Sequence, residues 1–518
     1  MLTEDLEVAL AARPGSSAPE LAEALGKRTA TVSKALYGGH GRFRCDGGDR
    51  WWLAGANCEL VGAGLWRNMP DSSLRPLPTH AGGLPALALR AWQAEALAAW
   101  SATGGRGVVE AVTGTGKTRL GVAAALGELG ARGQVLVLVP TMELAHHRVG
   151  ELSGWLPPGT GVGLMGAGGG DTLCTHDVVV AVVNSARSLD VRPIRRGGLL
   201  VADECHRYGS RMNRLALDAR FERRLGLSAT YARDDEGHLA WLDPYFGPTC
   251  YRMGYARAVA DGVTARFSVV FVGVAFSEAE RCLYEDLSRV MGRLRAQLVG
   301  SYGVTPEPFH VFMKEVNHLA ESDGAGAGVA RGYRTAQLER RRLLADTPAK
   351  VSALAGLAPA LAAADRAIVF TQSIRASEDA SSTLAGCGLR AGAVHSGVAG
   401  RDRREVLERF GAGGLDVICA PRVLDEGIDV PAADLAVILG ASRSRRQMIQ
   451  RMGRVLRLKA DGRPARFAVL FVEATVEDPA WGAHETFIGE VTTVADAVER
   501  LPASSPPAQA CELLAWPN

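Results

Sequence analysis

The stretch GVVEAVTGTGKTRL, residues 107–120, decides the fold of this 518-residue chain. Its apolar run predicts a strand ending at Val112, a Gly-rich turn follows, and a helix is predicted to start at Lys117 and Thr118. Backbone N–H groups in such a turn point at phosphate oxygens, and the helix dipole adds to the attraction. The stretch therefore predicts a phosphate-binding loop, although Ala111 stands where the strict G-x-x-x-x-G-K-[ST] pattern has Gly.

The residues of this loop have separate predicted roles. Gly114 and Gly116 let the backbone pass close to the phosphates. Lys117 is expected to reach the β- and γ-phosphates of a nucleotide, and the Thr118 hydroxyl is expected to ligate Mg²⁺. Thr113 and Thr115 complete the predicted nucleotide-binding set, for which ATP is the expected cofactor.

A second motif, which contains an acidic pair, follows about eighty residues later in LLVADECHR at residues 199–207. A carboxylate at the tip of a parallel strand can hold Mg²⁺ through water, which is the role predicted for Asp203. Glu204 is then placed to polarise the attacking water. An acidic pair after an apolar run is common, so this prediction depends on the phosphate loop that precedes it.

Alternation of apolar runs with helical stretches predicts the α/β class. The runs GVVEAV, VLVLVP, VVVAVV and LLVADE in the first block, and AIVFTQ, DVICAP and LAVILG in the second, suit parallel sheets covered on both faces. The predicted domains are listed in chain order. They are a winged helix-turn-helix at 1–56, a linker at 57–83, a first α/β domain at 84–262, a linker strand with a helical insertion at 263–346, a second α/β domain at 347–474, and a tail at 475–518 that is poorly ordered near Ser504.

Composition and charge exclude few functions. The chain has 47% hydrophobic and 22% charged residues and a net charge of +2, which neither requires nor excludes a nucleic-acid partner. Its nine cysteines include no C-x-x-C pair, so we expect a reducing cytoplasmic location with neither a disulfide framework nor a zinc site. No apolar run reaches about 18 residues, and the N-terminus does not resemble a signal peptide, so no membrane association is expected.

Over residues 84–460 the chain resembles the superfamily 2 helicases, because its motifs follow the order of that family. They are LRAWQ (89–93), AVTGTGKT (111–118), VPTMELAHH (139–147), DECH (203–206), LSAT (227–230), IVFTQS (368–373), VLDEGIDVP (423–431) and QRMGRVLR (450–457), which correspond to the adenine-side motif and motifs I, Ia, II, III, IV, V and VI. The resemblance implies two RecA-like parallel-sheet domains that hold ATP between them. It also implies a movement on nucleic acid that depends on closure of that cleft.

The resemblance assigns further roles to matching positions. On the nucleotide side it implies Arg90 and Gln93 near the adenine, Gly427 and Asp429 in motif V, and Arg451 beside the acids of motif II. For catalysis it implies Gln450 near the attacking water. Arg454 and Arg457 are implied as arginine fingers, since a guanidinium fork stabilises charge on the γ-phosphoryl oxygens.

Residues facing nucleic acid follow from the resemblance more loosely. They are Thr141, Asn184, Ser185, Arg233, Thr371 and Arg422. Each could equally be a helix cap, a turn residue or part of a charged loop. His206 is expected to link motif II to motif III or VI, His395 is expected to be structural or a strand contact, and Cys205 is expected to fill a small slot without acting as a nucleophile.

One stretch narrows the resemblance to the XPB-like and restriction-helicase branch. GLSATYARDDEG carries Arg233-Asp234-Asp235, which is one conservative change from the Arg-Glu-Asp triplet of the XPB-like group. The helical insertion lies where that group has a thumb-like element. The predicted function is an ATP- and Mg²⁺-dependent DNA helicase or duplex translocase, with duplex DNA favoured over single strands. The alternatives are an RNA helicase, a DNA-binding regulator, and the motor subunit of a repair or restriction assembly with a nuclease partner.

Overall fold

Two compact units make up the chain, and their structure comes from a computed structural model. The first unit contains residues 1–88, 122–202 and 210–224, and the second contains residues 89–121, 203–209 and 225–518. The structure describes residues 2–13, 16–27, 31–32, 35–36, 43–45, 50–53, 58–61, 65–68, 87–166, 169–189, 191, 193, 197–233, 235, 237–421, 433–440, 453, 455–459, 461–481 and 492–516.

The N-terminal elements form a small sheet with helices. They are helix α1 (Leu2–Ala12), strand β1 (Ser16–Ser17), helix α2 (Ala18–Ala24) and strands β2 (Phe43–Cys45) and β3 (Arg50–Leu53). The three strands lie in the order β1-β3-β2, and β2 pairs with β3 antiparallel. The strand pair predicted around Gly47-Gly48 is therefore present, whereas most of the expected recognition helix lies outside the described residues. The winged-helix assignment stays a prediction.

The range expected to be a linker contains a hairpin. Strands β4 (Cys58–Val61) and β5 (Leu65–Asn68) pair antiparallel, with Val61 opposite Leu65. The intervening sequence Gly62-Ala63-Gly64 has the composition of a short hairpin connection. The assignment of 57–83 as a linker stays a prediction, but the sequence did not indicate this hairpin, because such short strands leave too little periodicity to be recognised.

The first large sheet carries the phosphate loop and the acidic pair. Its strands are β6 (Arg106–Ala111), β7 (Val135–Val139), β8 (Val162–Gly166), β9 (Gly169–Gly170), β10 (Val178–Val182), β11 (Leu199–Asp203), β12 (Arg223–Ser228) and β13 (Thr249–Met253), in the order β13-β6-β12-β11-β7-β10-β8-β9. β10 lies parallel to both β7 and β8, with Val180 opposite Val137 and Leu164. Every residue of β7, β10 and β11 is buried, as their continuous Val and Leu runs predict.

One helix precedes the first of these strands, and the others alternate with the strands along the chain. They are α3 (Ala91–Ala102), α4 (Lys117–Gly130), α5 (Met142–Trp155), α6 (Val183–Ala186), α7 (Asp243–Phe246) and α8 (Tyr255–Ala260), together with 3₁₀ turns at Cys205–Gly209 and Asn213–Ala216 and a π-helical turn at His238–Leu242. The strand-then-helix alternation places loops at the carboxyl ends of parallel strands. In open α/β sheets, those ends are where ligands bind.

The insertion predicted to be helical has a core of its own. It consists of helices α9 (Glu278–Tyr302), α10 (Phe309–Glu321) and α11 (Ala327–Asp346). Leu298, Phe312 and Tyr333, one from each helix, are buried in the same apolar cluster. The Gly/Ala stretch forms the connection between α10 and α11, and α11 begins within it.

The second large sheet is parallel in every strand pair that the structure describes. Its strands are β14 (Phe267–Val274), β15 (Ala367–Phe370), β16 (Ala391–Ala393), β17 (Val417–Ala420), β18 (Leu435–Ile438), β19 (Ala465–Val472) and β20 (Ala497–Leu501), in the order β16-β17-β15-β18-β19-β14-β20. Helices α12 (Pro348–Gly356), α13 (Ala358–Ala363), α14 (Ile374–Gly386), α15 (Gly400–Gly411) and α16 (Pro507–Leu514) follow the same numbering, with a 3₁₀ turn at Pro479–Trp481.

Two segments predicted to lie outside the second domain belong to this sheet. The linker strand β14 pairs with β19 over all eight residues, and β20 from the tail pairs with β14 on its other side. Leu501 and Leu514 are buried in the core of the same sheet. The expectation of a poorly ordered tail is therefore wrong for residues 492–516, because the Ser/Pro-rich stretch near Ser504 forms only the connection between β20 and α16. In the described part of the chain, no helix is long and apolar enough to cross a membrane.

Candidate nucleotide-binding and motor site

The predicted phosphate loop has the strand–turn–helix geometry that its sequence indicates. β6 ends at Ala111 and α4 begins at Lys117. Gly114 and Gly116 have φ angles of 83° and 89°, a left-handed region in which a side chain is strained. The buried Thr115 hydroxyl donates to the Val112 carbonyl at 2.8 Å and closes the turn. The loop thus precedes the N-terminus of a 14-residue helix, where an anion is electrostatically favoured.

Lys117 lies inside this loop. Its Nζ donates to the carbonyl oxygens of Ala111 at 2.8 Å and Val112 at 3.2 Å. An ammonium group held in this way is a point charge at the start of the helix. Phosphate oxygens can accept the same N–H donors.

Gln93 connects helix α3 to the loop. Its side chain is 1% exposed, Nε2 donates to the Gly116 carbonyl at 2.9 Å, and Oε1 accepts from the Arg90 backbone N–H at 2.9 Å. Arg90 is the N-cap of α3 and Gln93 is its third residue, so this amide also completes half of a capping box. Gln93 therefore positions the phosphate loop, a role that the sequence motif did not indicate.

The acidic pair begins at the end of the buried strand β11. The Asp203 carboxylate accepts from the Glu204 backbone N–H at 3.1 Å. Glu204 has a φ of 50°, a left-handed conformation that costs a non-glycine residue about 1–3 kcal/mol. This turn leads the chain from β11 directly into the 3₁₀ helix that carries Cys205 and His206.

His206 links motif II to motif III, one of the two connections expected for it. His206 Nδ1 lies 3.0 Å from Ser228 Oγ, and both side chains are buried. The Ser228 hydroxyl donates its single hydrogen to the Thr230 carbonyl at 2.8 Å, so we assign the proton of this contact to His206 Nδ1. Glu204 Oε2 lies 3.4 Å from the same nitrogen. A change at the Glu204 carboxylate can thus reach motif III through one imidazole.

Cys205 behaves as predicted for a small buried residue. Its side chain is fully buried, and burial together with the neighbouring Glu204 and Asp203 carboxylates raises the pKa of its thiol well above the ordinary value. A thiol that stays protonated is a poor nucleophile. His395, also buried, lies 3.3 Å from Glu378 through Nε2 and accepts from the Gly397 N–H through Nδ1, as expected for a structural histidine.

Arg233 is tied to motif II. Its guanidinium pairs with Asp235 and donates to the His206 carbonyl, and its backbone N–H donates to His238 Nδ1 at 3.1 Å. The hydrogen bond from Arg233 lowers the pKa of Asp235 to about 2. Asp234 lies outside the described residues. The side chain of Arg233 is 15% exposed, so its contact with nucleic acid stays a prediction.

Motif VI reaches the phosphate loop at Gly453. A Cβ at position 453 would overlap the side chain of Thr113, so the two backbones meet with no room for a methyl group. A Cβ on Gly114 would lie 3.1 Å from the Gly453 carbonyl oxygen and 3.8 Å from Arg457 Cγ. Of the predicted catalytic residues, Lys117 and Arg457 are thus brought to the same loop. Gln450, Arg451 and Arg454, together with Gly427, Asp429 and Arg422, lie outside the described residues.

The other predicted nucleic-acid contacts occupy caps and turns. Thr141 is the N-cap of α5 and accepts from the Leu144 N–H at 3.4 Å. Thr371 is fully buried and donates to the Ser373 carbonyl at 3.2 Å. Asn184 is exposed and accepts from Arg187 at 2.7 Å, and the neighbouring Ser185 is half-buried in the same helix, α6. The structure therefore leaves Asn184 as the most accessible member of this set among the described residues.

Comparison with known proteins agrees with this motif order. Residues 90–236 match the family model of the DEAD/DEAH box helicases, and residues 349–459 match that of the helicase conserved C-terminal domain. The DNA 3'-5' translocase XPB2 of Sulfurisphaera tokodaii is 29% identical over 72% of this chain and 79% of its own length. The DNA 3'-5' helicase XPB of Mycobacterium tuberculosis is 26% identical over 81% of this chain and 66% of its own length.

The chain belongs to the superfamily 2 helicases. Its relatives place it in the XPB-like group, as the stretch after motif III indicated. As a member of this superfamily it is an ATP-hydrolysing enzyme. The predictions of family, of two RecA-like domains and of enzyme class are confirmed.

Solved structures of this superfamily share the fold. Saccharomyces cerevisiae Dbp5 bound to RNA and ADP BeF3 superposes with a TM-score of 0.53, at 12% identity, over 82% of this chain and 92% of that one. The DNA-bound restriction-modification enzyme LlaBIII gives a TM-score of 0.50, at 17% identity, over 80% of this chain and 31% of that one. At these identities the likeness shows the two RecA-like domains and nothing about the substrate.

Three residues of this helicase were not singled out by sequence reasoning. Gly453 and Ser228 stand inside recognised motifs, so the motifs themselves were the available signal. Glu110 stands in β6, where it accepts from the Tyr231 backbone N–H at 3.0 Å and from Arg252 Nε at 3.2 Å. It ties the strand before the phosphate loop to the residue after motif III, and no sequence pattern indicates that contact.

Proposed function

We propose that this chain is an ATP- and Mg²⁺-dependent motor that moves on DNA, with duplex DNA as its track. The observation that carries the proposal is the packing of Gly453 in motif VI against Thr113 in the phosphate loop. Two segments that are 340 residues apart in sequence form one site, so hydrolysis depends on their approach. The named activities of the XPB relatives support DNA as the track.

The residues of the site fit ATP and Mg²⁺. Lys117 and the N–H groups of the Gly-rich turn suit the phosphates, and the Thr118 hydroxyl and the Asp203 carboxylate are oxygen donors of the kind Mg²⁺ prefers. Mg²⁺ in such sites keeps most of its water ligands, so these two donors suffice. The described residues include no cluster of three or more His, Cys, Asp or Glu that could hold a metal.

Each remaining residue then has a chemical task. Glu204 accepts a hydrogen bond from the attacking water and orients it, and Arg457, with Arg454, stabilises charge on the γ-phosphoryl oxygens. When Glu204 changes its partner, the contact through His206 to Ser228 carries that change to motif III. The affinity of the chain for DNA would then alternate as the site closes around ATP and opens after hydrolysis.

Steady-state ATP hydrolysis without nucleic acid and with duplex DNA, single-stranded DNA or RNA, at two salt concentrations, tests the proposal. We expect duplex DNA to stimulate turnover most, and stimulation to fade as salt rises because phosphate contacts release counterions. Lys117→Ala is expected to lower the stimulated rate by at least about 100-fold, whereas Lys314→Ala, on an exposed face of α10, leaves it unchanged. Stimulation by RNA alone would assign the chain to the RNA branch, and activity only in a purified native complex would point to a partner such as a nuclease.

A further inference from the structure

A group of exposed apolar side chains, with neighbouring arginines that are exposed or half-buried, lies beside Asn184 in the first unit. Met212 is 57% exposed, Leu215 is 54% exposed and Leu189 is 42% exposed. We call this group, with its neighbouring arginines, the Arg/Met patch. It consists of Arg187, Leu189, Arg211, Met212, Arg214 and Leu215.

Arg187 holds the two parts of the patch together. One guanidinium nitrogen donates to Asn184 Oδ1 at 2.7 Å, and the other donates to Asn213 Oδ1 at 3.2 Å. The first partner lies in helix α6 and the second in the 3₁₀ turn Asn213–Ala216. The segment that bears Met212 and Leu215 is therefore fixed against the helix that bears the predicted strand contacts Asn184 and Ser185.

Hydrogen bonds and the burial of Ala216 hold the 3₁₀ turn Asn213–Ala216 and the preceding Met212 in place. Ser210 Oγ accepts from the Asn213 N–H at 3.2 Å, Arg214 Nε donates to the Arg211 carbonyl at 3.4 Å, and Ala216 is fully buried. Met212 and Leu215 are thus presented on a short, internally bonded turn. Such a support lets apolar side chains stay exposed in a defined position.

The charge of the patch suits a polyanion. Residues 184–189 and 210–217 contain three arginines, and of the two acids that directly follow these stretches, Asp190 and Asp218, the second is paired with Arg220. Exposed Leu and Met side chains flanked by arginines have the chemistry of an intercalating wedge, in which arginines contact phosphates and the apolar groups enter between base steps. An acidic or purely apolar partner surface would leave either the leucines and methionine or the arginines without a complement.

We propose that the Arg/Met patch is a wedge for the DNA on which this motor acts, with Met212 and Leu215 inserted against unstacked bases and Arg187 and Arg211 on the adjacent phosphates. This inference rests on the proposed function and adds a role in local strand distortion. The turn that bears the wedge is fixed against helix α6, which holds Asn184, so each movement of α6 along the DNA would unstack a new base step. Unstacking a base step costs free energy, which the motor would supply from ATP hydrolysis.

The test uses the full chain and duplex DNA containing 2-aminopurine, whose fluorescence rises when the base unstacks. We expect the wild type to raise the signal on binding and the double variant Met212→Ser/Leu215→Ser to abolish most of that rise. DNA affinity should fall by less than about tenfold, because the phosphate contacts remain. Leu283→Ser, which changes an equally exposed leucine on α9, should leave the signal unchanged.

Arg211→Ala tests the proposed phosphate contact separately from the insertion of Met212 and Leu215 between bases. It should reduce the slope of log affinity against log salt by about one phosphate contact while leaving the fluorescence rise largely intact. An unchanged fluorescence rise in the double variant overturns the wedge, and so does a wild type whose ATP hydrolysis is stimulated by DNA without any fluorescence rise. If DNA stimulates no ATP hydrolysis in the wild type, the proposed function fails and the wedge fails with it.

Discussion

The contact between Gly453 and Thr113 predicts that one added methyl group in motif VI blocks ATP hydrolysis. In Gly453→Ala, the new Cβ overlaps the Thr113 side chain and lies 3.1 Å from Thr113 Cα, whereas ordinary Cβ contacts begin near 3.4 Å. The two backbones must therefore move apart by roughly 1 Å, a misplacement that costs about 100-fold in rate when both segments act on one reacting centre. That loss corresponds to about 2.7 kcal/mol of activation free energy.

The assay is the DNA-stimulated kcat for ATP, measured beside the dissociation constant of a fluorescent ATP analogue. We expect kcat to fall about 100-fold and the dissociation constant to change much less, because the added methyl group meets Thr113 and not Lys117, the predicted ligand of the β- and γ-phosphates. Gly400→Ala is the matched control, since a Cβ at position 400 meets nothing within 4 Å. Its kcat should equal that of the wild type.

A double-mutant cycle tests whether the contact between Gly453 and Thr113 limits hydrolysis. Thr113→Gly removes the side-chain atoms that the new methyl group overlaps. In that background, Gly453→Ala should cost less than about threefold in kcat, although the same change costs about 100-fold beside Thr113. An equal cost in both backgrounds, or a Gly453→Ala enzyme with the wild-type kcat, would show that the contact does not limit hydrolysis.

Three further predictions concern buried groups. Lys350 Nζ lies 2.6 Å from Glu477 Oε2 in the core of the second unit, so Lys350→Met should destabilise the fold by about 3–5 kcal/mol in urea unfolding, and Lys350→Met/Glu477→Leu should recover most of that loss. Ser228→Ala leaves the His206 Nδ1 proton without its hydroxyl acceptor and should lower kcat with little change in KM for ATP, which steady-state kinetics would measure; an equal change in both would count against the coupling role. Burial lowers the pKa of Lys459 to about 8 from an ordinary value of 10.5. Between these two pH values the unfolded chain binds one more proton at Lys459 than the folded chain does. The contribution of Lys459 to stability therefore rises as pH rises from about 8 to 10.5. The stability difference between wild type and Lys459→Met should therefore shift in favour of the wild type by roughly 3 kcal/mol across that window, and a pH-independent difference would contradict the burial of this ammonium.

Several features of the site follow from the sequence because they depend on neighbouring residues. The turn before α4 requires φ angles near 83° and 89° at Gly114 and Gly116, and only glycine adopts them without strain. The buried strands β7, β10 and β11 follow from unbroken Val and Leu runs, which have to be covered on both faces. The order of the helicase motifs then indicated the family, without any knowledge of distances.

Other features depended on which distant segments meet. The sequence left His206 with two candidate partners, and the packing of the 3₁₀ turn against the end of β12 selected Ser228. The sequence predicted residues 497–501 to lie in a poorly ordered tail, whereas in the structure they pair with β14 in the second sheet.

By itself the sequence determined the phosphate loop, the α/β class and the helicase motifs, because backbone conformation and apolar periodicity are properties of short segments. Only the tertiary structure decided that Gly453 meets Thr113, that Gln93 bonds to the loop, and that β14 and β20 complete the second sheet. Each of these contacts joins residues far apart in the chain. Their formation depends on the shape and hydrogen-bonding complement of the surfaces that fold together, and no local pattern contains that information.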